Sequence, residues 1–424
     1  MKFLHASLLL LFLLFSAVQS WSAQLSLKDC LQKARDNNPT LKSAAWETRI
    51  ADENSRLASA ATYPRLDAQA GYTMQLEPQA VKMGGLTAVT QEADFAFAGV
   101  SATYTIYDFG RRDSRISQAS AYREAATYHF ASSKGNVALQ VIEAYFRILE
   151  TEKLIQAAKE EIMQIIEHRR VAQVLLEEGV VTKNDVLQAD VRLASAKQKQ
   201  LSVTNRRENG WLLLNFLVGN KPDYRADLDE STSVKRILAI TTTAAYAPAK
   251  RNDIKVQKQL LEARVFEVRE NRENYLPEIY TRFGVDYVQN DKVREQAIFA
   301  ATLGIRVNLF DGFASQATHE KAVKLRSKQS DALRLTEQQA QLEISTAQND
   351  ADIAKERIKV AGAAIVQSEE NLRINKERYQ ERVGIASEVL DAQTLVTLAK
   401  TDYYQALYDY QTATARLHNA VGEL

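Results

Sequence analysis

Two long runs without proline constrain this chain more than any other feature. Its six prolines (Pro39, Pro64, Pro78, Pro222, Pro248 and Pro277) leave residues 79–221 and 278–424 free of that breaker. Glycine is thinly spread in the same runs, at 14 in 290 residues, and a chain with so few breakers over such lengths favours long helix. The two runs are also copies of each other. A shift of 213 residues carries Pro64 onto Pro277 and Gly71 onto Gly284, and lays Ala34-Arg35-Asp36-Asn37-Asn38-Pro39-Thr40-Leu41 over Ala247-Pro248-Ala249-Lys250-Arg251-Asn252-Asp253-Ile254. Further on the shift is 203 residues, taking Asp108 to Asp311, Ala144 to Ala347, Val186-Leu187 to Val389-Leu390 and Ala189 to Ala392. The ten-residue change puts one longer loop in the first copy, between residues 72 and 108. Colinear matches with one gap make the chain a tandem repeat.

After the proline of each copy the hydrophobic period changes from helical to strict alternation. Leu66, Ala68, Ala70, Tyr72, Met74 and Leu76 alternate with polar residues or glycine, as do Val100, Ala102, Tyr104 and Ile106. The second copy repeats this in Ile279, Thr281, Phe283, Val285 and Tyr287, and again in Phe299, Ala301, Leu303, Ile305, Val307 and Leu309. Four strands in two hairpins result, each strand long enough to cross a bilayer when tilted. Soluble hairpins packed on helices would alternate in the same way. Four tilted strands do not close a membrane barrel, whose smallest form has eight, so a barrel here is shared by at least two chains.

Each hairpin leads into a long helix through Tyr107-Asp108-Phe109-Gly110 or Phe310-Asp311-Gly312-Phe313, where Asp108 and Asp311 suit the N-cap role. Asp108-Phe109-Gly110 also spells a kinase metal-binding tripeptide, but no glycine-rich phosphate loop or catalytic-loop His-Arg-Asp accompanies it. Nearly 70 residues of helix follow each time, roughly 100 Å at 1.5 Å per residue. From Ala340 the apolar and small residues Ile344, Ala347, Ala351, Ala354, Ile358, Ala361 and Ile365 recur at alternating steps of four and three. Val389, Ala392, Val396, Ala399, Tyr403, Ala406, Tyr410, Ala413, Leu417 and Ala420 continue that heptad seam, with alanine allowing close helix approach. Helical hairpins turn at Glu178-Gly179-Val180-Val181-Thr182 and Arg382-Val383-Gly384-Ile385-Ala386. A structural rod would carry the same seams.

Composition narrows the function classes. Lys and Arg number 54 against 53 Asp and Glu, and loss of Lys2 with a leader would balance them, so electrostatic attraction to nucleic acid is not supported. One cysteine excludes an intrachain disulfide and a thiolate zinc cluster. The run Leu8-Leu9-Leu10-Leu11-Phe12-Leu13-Leu14-Phe15 behind Lys2 reads as a secretory signal peptide, cleaved after Ser20 or Ala23. No later stretch reaches the 18 to 20 apolar residues of a transmembrane helix. Neither Gly-x-Ser-x-Gly, nor His-Glu-x-x-His, nor paired catalytic carboxylates are found, and no cofactor or metal is expected.

With these parts in hand, the chain resembles the TolC-like outer-membrane efflux proteins. The resemblance spans essentially the whole mature chain. It rests on Asn37-Asn38-Pro39-Thr40-Leu41, the Tyr-Asp-Phe-Gly and Phe-Asp-Gly-Phe junctions, Gly179 to Ala189, and above all Arg378 to Ala392 (Arg-Tyr-Gln-Glu-Arg-Val-Gly-Ile-Ala-Ser-Glu-Val-Leu-Asp-Ala). It implies a mainly α fold with a membrane β region, in which a homotrimer forms a twelve-stranded barrel continuous with a periplasmic helical barrel. It further implies a passive outer-membrane exit duct of a tripartite efflux or type I secretion system, not an enzyme. Its partners would be a periplasmic adaptor (membrane fusion) protein, an inner-membrane pump of RND, ABC or MFS type, and outer-membrane lipid, with no nucleic acid. The alternative is a periplasmic coiled-coil adaptor or scaffold without its own barrel.

Carried onto this sequence, the family's periplasmic gate matches Glu388 and Asp391 as lumen carboxylates, and Asp185 and Tyr379 as gate-closing contacts. Glu388 would equally suit a first-turn acid on a helix dipole, and Asp391 a solvated surface position. The adaptor-docking tips match Gly179, Val180 and Val181 and Arg382, Val383 and Gly384, with Arg382 standing where many members have glycine. The expected organisation is a signal peptide over 1–23, a first repeat over 24–220, a linker over 221–245 and a second repeat over 246–424. The first repeat holds a helix 25–62, strands near 64–77 and 94–107 and a helical hairpin 110–218. The second holds a helix 246–275, strands near 277–289 and 297–310 and a hairpin 312–421.

Overall fold

A computed structural model describes residues 24–230 and 250–424. The expected signal peptide, most of the linker and the first residues of the helix expected from 246 lie outside the described residues. The chain divides into two compact units, one from the described part of Met1–Ser43 with Ala131–Arg251 and Gln339–Leu424, the other from Ala44–Phe130 and Asn252–Gln338.

In place of one helix over 25–62 there are two, α1 (Leu27–Asn37) and α2 (Pro39–Ala60). The break follows from Pro39, which has no N–H to donate and pushes Asn38 into an extended conformation (φ −60°, ψ 125°). Asn38 then serves as the cap of α2. Its Oδ1 accepts from the amides of Thr40 (2.9 Å) and Leu41 (3.3 Å), while its Nδ2 donates to the Leu217 carbonyl (2.9 Å).

The second unit holds a four-stranded antiparallel sheet in the order β1-β4-β5-β6, from β1 (Arg65–Met74), β4 (Asp94–Tyr107), β5 (Glu278–Val288) and β6 (Ala297–Arg306). Strand β6 ends before the expected 310, with Val307 to Phe310 outside the ladder. The longer loop of the first repeat folds into a small hairpin that alternation did not predict, β2 (Ala80–Met83) with β3 (Leu86–Val89). Its two-residue turn is Gly84-Gly85, both at positive φ (53° and 90°), the conformation a tight hairpin needs. In the large sheet Leu66 pairs with Ala102, Val100 with Val285 and Val285 with Phe299, so the alternating residues of all four strands share one face. That face is apolar and open, with Leu66, Phe299 and Leu303 more than 70% exposed. The opposite face carries Gln69, Ser101, Arg282, Asp286 and Thr302.

Both strand-to-helix junctions turn on two consecutive left-handed residues, Phe109 (57°) and Gly110 (98°) in the first repeat and Gly312 (68°) and Phe313 (68°) in the second. Phenylalanine and glycine have exchanged places while the backbone path is kept. The helices that follow are α3 (Arg111–Glu177) and α6 (Ala314–Gln380), 67 residues each, returning as α4 (Lys183–Val218) and α7 (Ala386–Val421), 36 residues each. Helix α5 (Asn252–Glu273) stands before β5.

The first unit is built on the alanine seams. Ala189, Ala196 and Val203 of α4 are buried, as are Ala340, Ile344, Ala347 and Ala354 of α6, and Val389, Ala392, Val396, Ala406 and Ala413 of α7. Gly210 allows close approach of α3, because a Cβ there would lie 3.0 Å from Ile148 Cγ1. Tyr145, fully buried on α3, places its hydroxyl 3.0 Å from the Leu25 carbonyl and 2.7 Å from that of Asp229, which ties down the strand bridge between Leu25 and Leu228.

Candidate functional site

The two turns of the first unit are built alike. In the first, Val180 N–H donates to the Leu175 carbonyl (2.8 Å) and Gly179 N–H to that of Leu176 (3.0 Å); in the second, Val383 donates to Arg378 (2.9 Å) and Arg382 to Tyr379 (3.2 Å). Each is a Schellman closure with its C′ residue left-handed, Gly179 at φ 75° and Arg382 at 65°. Side chains beyond the closures are exposed, Val383 at 69% and Ile385 at 61%. Gly384 sits against the chain it has just left, since a Cβ there would be 3.2 Å from the Tyr379 nitrogen.

Behind the turns lies a common core of Leu372, Tyr379, Ala386, Val389, Ala392 and Val396, against which Val171, Leu175 and Val181 pack. This core brings the α3–α4 and α6–α7 hairpins together. Tyr379 is 4% exposed and its ring lies 5.0 Å from that of His168, itself 5% exposed. Burial and then the Asp185 charge push the Tyr379 phenol up from its ordinary value. Burial, with Lys376 adding to it and Asp185 opposing it, pulls His168 down to about 4.

The expected site residues are distributed as follows. Asp185 caps its own helix, accepting the Thr182 amide at 3.1 Å, and makes no hydrogen bond with Tyr379. The Tyr379 hydroxyl is enclosed and has no hydrogen-bond partner among the described residues. Glu388, the repeat mate of Asp185, turns to Arg378 at 3.3 Å. Asp391 accepts from Arg192 Nη2 at 2.8 Å, joining α7 to α4. Arg382 reaches Glu178 in the other turn at 3.4 Å. Sequence reasoning passed over Arg192, Arg378, Glu178 and His168. Arg378 was within reach of it, since a five-residue turn sets that position beside Glu388, whereas Arg192 and His168 are brought in by hairpin packing that no local pattern encodes.

At the strand junctions Asp108 and Asp311 stand ahead of the helices and accept from the amides of Arg112 (3.1 Å) and Ser315 (2.9 Å). Asp108 is also ion-paired with Arg112 at 3.0 Å. Beside them Arg111 bonds Glu278, which also takes Arg306 at 2.9 Å. Among the described residues no helix is long and apolar enough to cross a membrane.

The outer membrane efflux protein family model matches residues 30–220 and 246–423. Outer membrane protein TolC of Vibrio cholerae is 22% identical over 414 residues, covering 94% of this chain and 91% of its own length. Alkaline protease secretion protein AprF of Pseudomonas aeruginosa is 22% identical over 410 residues, covering 94% and 85%. Among solved structures, CusC matches with a TM-score of 0.84 at 17% identity, covering 96% of each chain. The outer membrane protein VceC from Vibrio cholerae matches with a TM-score of 0.81 at 18% identity, covering 93% of this chain and 96% of that one.

Proposed function

The chain belongs to the outer membrane efflux protein family, and we propose on that premise that three copies join their four-stranded sheets into one twelve-stranded barrel. It is an exit duct of the outer membrane and not an enzyme. Such ducts work with a periplasmic adaptor and an inner-membrane pump. The observation that supports a barrel shared between copies is the sheet itself, with one apolar face open and β1 and β6 unpaired at its edges among the described residues, while the number three comes from the family resemblance. Because β1 and β6 run antiparallel in a sheet of even strand number, β6 of one copy meets β1 of the next antiparallel, and repetition closes the ring without a free edge. Three-fold repetition gives twelve strands, facing lipid with the Leu66, Val100, Phe283 and Phe299 side and water with the Arg282 and Asp286 side.

The exposed turn residues Val180, Val383 and their neighbours Gly179, Val181, Arg382 and Gly384 are the surface offered to adaptor hairpins. Docking there moves the α6–α7 hairpin away from α3 and opens the mouth. Glu388 and Asp391 contribute rings of carboxylates near the three-fold axis, but each acid brings its own arginine, Arg378 or Arg192. The constriction is accordingly close to charge-balanced rather than bare anion. Asp185 contributes to closure through its cap on α4.

Fractionation tests the reading. The protein is expected in the outer-membrane fraction as an SDS-resistant species that shifts to the monomer position on boiling. A soluble periplasmic monomer would overturn it and restore the scaffold alternative.

A further inference from the structure

Inside the chain the sheet already contains one seam between repeats. Strand β4 belongs to the first repeat and β5 to the second, and they pair antiparallel from Phe97–Val288 to Tyr107–Ile279. The strands at the two free edges are their counterparts. Strand β6 starts 203 residues after β4, at Ala297 against Asp94, and β5 starts 213 residues after β1, at Glu278 against Arg65; these are the two shifts that relate the halves of the sequence. Where β6 of one copy meets β1 of the next, the counterparts of an observed seam come together.

Strand lengths mark the same relation. Strand β4 runs to Tyr107, but its pairing with β1 stops at Thr103, and beyond that β5 alone holds Tyr104, Thr105 and Tyr107 in the ladder. Their counterparts are Val307, Asn308 and Phe310, which lie in the stretch by which β6 falls short of β4. In a single chain nothing pairs with β6 on its outer side among the described residues.

We propose that copies join in the register of the β4–β5 seam, so that Leu303 lies opposite Tyr72 of the next copy and Val307 to Phe310 extend β6 along Leu66 to Ala68 of that copy. The proposal rests on the reading of a barrel shared between copies. The side chains fit the register. Leu303, Ile305, Val307 and Phe310 are set against Tyr72, Ala70, Ala68 and Leu66, and Thr302, Arg306 and Asn308 against Thr73, Gln69 and Asp67. Apolar residues meet apolar ones, polar meet polar, and no like charges are opposed. Gly304 meets Gly71, and each is already covered from the strand behind it, since a Cβ would be 2.7 Å from Tyr280 Cζ at Gly304 and 2.6 Å from Phe97 Cζ at Gly71. The two rings then flank the seam on the side away from the apolar face and close the wall there.

Engineered disulfides in the full-length outer-membrane protein test the register. Within one chain β1 and β6 stand three strand spacings apart, about 14 Å, too far for a disulfide, so a bond between them joins copies. Cys30, the native thiol, is buried. Two double variants, Tyr72→Cys with Leu303→Cys and Thr73→Cys with Thr302→Cys, sample both faces of the seam. Under mild oxidation they are expected to give linked chains on non-reducing gels about tenfold faster than Leu303→Cys combined with Ala70→Cys or Met74→Cys, the pairs a two-residue slip would favour. A faster shifted pair would overturn the register. In the unsubstituted assembly, amide hydrogen exchange at Val307 to Phe310 is expected to be as slow as at Tyr104 to Tyr107, and exchange as fast as in an open loop would overturn the strand extension. An SDS-resistant assembly that forms none of these crosslinks would overturn the proposal and leave the shared duct standing. A monomer in every preparation would remove the duct reading and the proposal with it.

Discussion

At the residue scale the internal repeat supplies its own controls. Gly179 and Arg382 occupy one position in two copies of the same turn, both left-handed. Glycine takes that conformation freely, whereas a side chain there costs about 1 kcal/mol. Arginine recovers little of this, since its bridge to Glu178 at 3.4 Å is between groups 61% and 52% exposed and such pairs contribute about 0–1 kcal/mol. Arg382→Gly is therefore expected to stabilise the protein by about 0.5 kcal/mol in denaturant unfolding. A loss of stability would show the Glu178 bridge to be stronger than its exposure allows. The acids of the second hairpin lead to a different expectation. Arg192→Ala leaves Asp391 unpaired, so the reversal potential in a KCl gradient is expected to move toward cation selectivity; no movement would place Asp391 outside the conducting path. The sequence made Glu388, Asp391 and Tyr379 legible as positions, because a short motif carries them. The partner of Asp391 was not legible, since Arg192 approaches it from another hairpin, 199 residues away in the chain.

At the scale of elements, periodicity did most of the work. Long breaker-free seams give α3 and α6, of identical length, and alternation gives β1, β4, β5 and β6. Reasoning failed where a local residue overrides the period. Pro39 splits a pattern that reads as continuous helix, and Gly84-Gly85 folds the inserted loop into a hairpin too short for alternation to register. The packing of α3 on α6 has a pH dependence of its own. His168 is held near 4 by burial and Lys376, against 6.5 when free, with Asp185 opposing from α4. Its burial carries no proton penalty above pH 6.5, and stability falls as pH drops toward 4 because the unfolded state binds the proton first; the shift corresponds to about 3 kcal/mol. Hydrogen exchange over 164–175 is accordingly expected to accelerate between pH 6.5 and 4 after correction for intrinsic rates, and His168→Phe is expected to abolish that acceleration. An equal acceleration in the variant would place the titrating group elsewhere.

For the whole molecule, no helix among the described residues is long and apolar enough to cross a membrane, yet a broad apolar surface forms once four strands from both repeats are laid side by side in register. Neither a hydropathy window nor a single repeat displays that surface, although the even strand number and the two free edges follow from it. The twelve strands proposed above rest on the family resemblance, since edge-to-edge closure requires only that copies join antiparallel. The number of copies in the membrane assembly is the quantity on which the account turns, and native mass spectrometry of the detergent-extracted outer-membrane protein measures it. Three chains per particle is the predicted result. One chain, or two chains sharing eight strands, would contradict it.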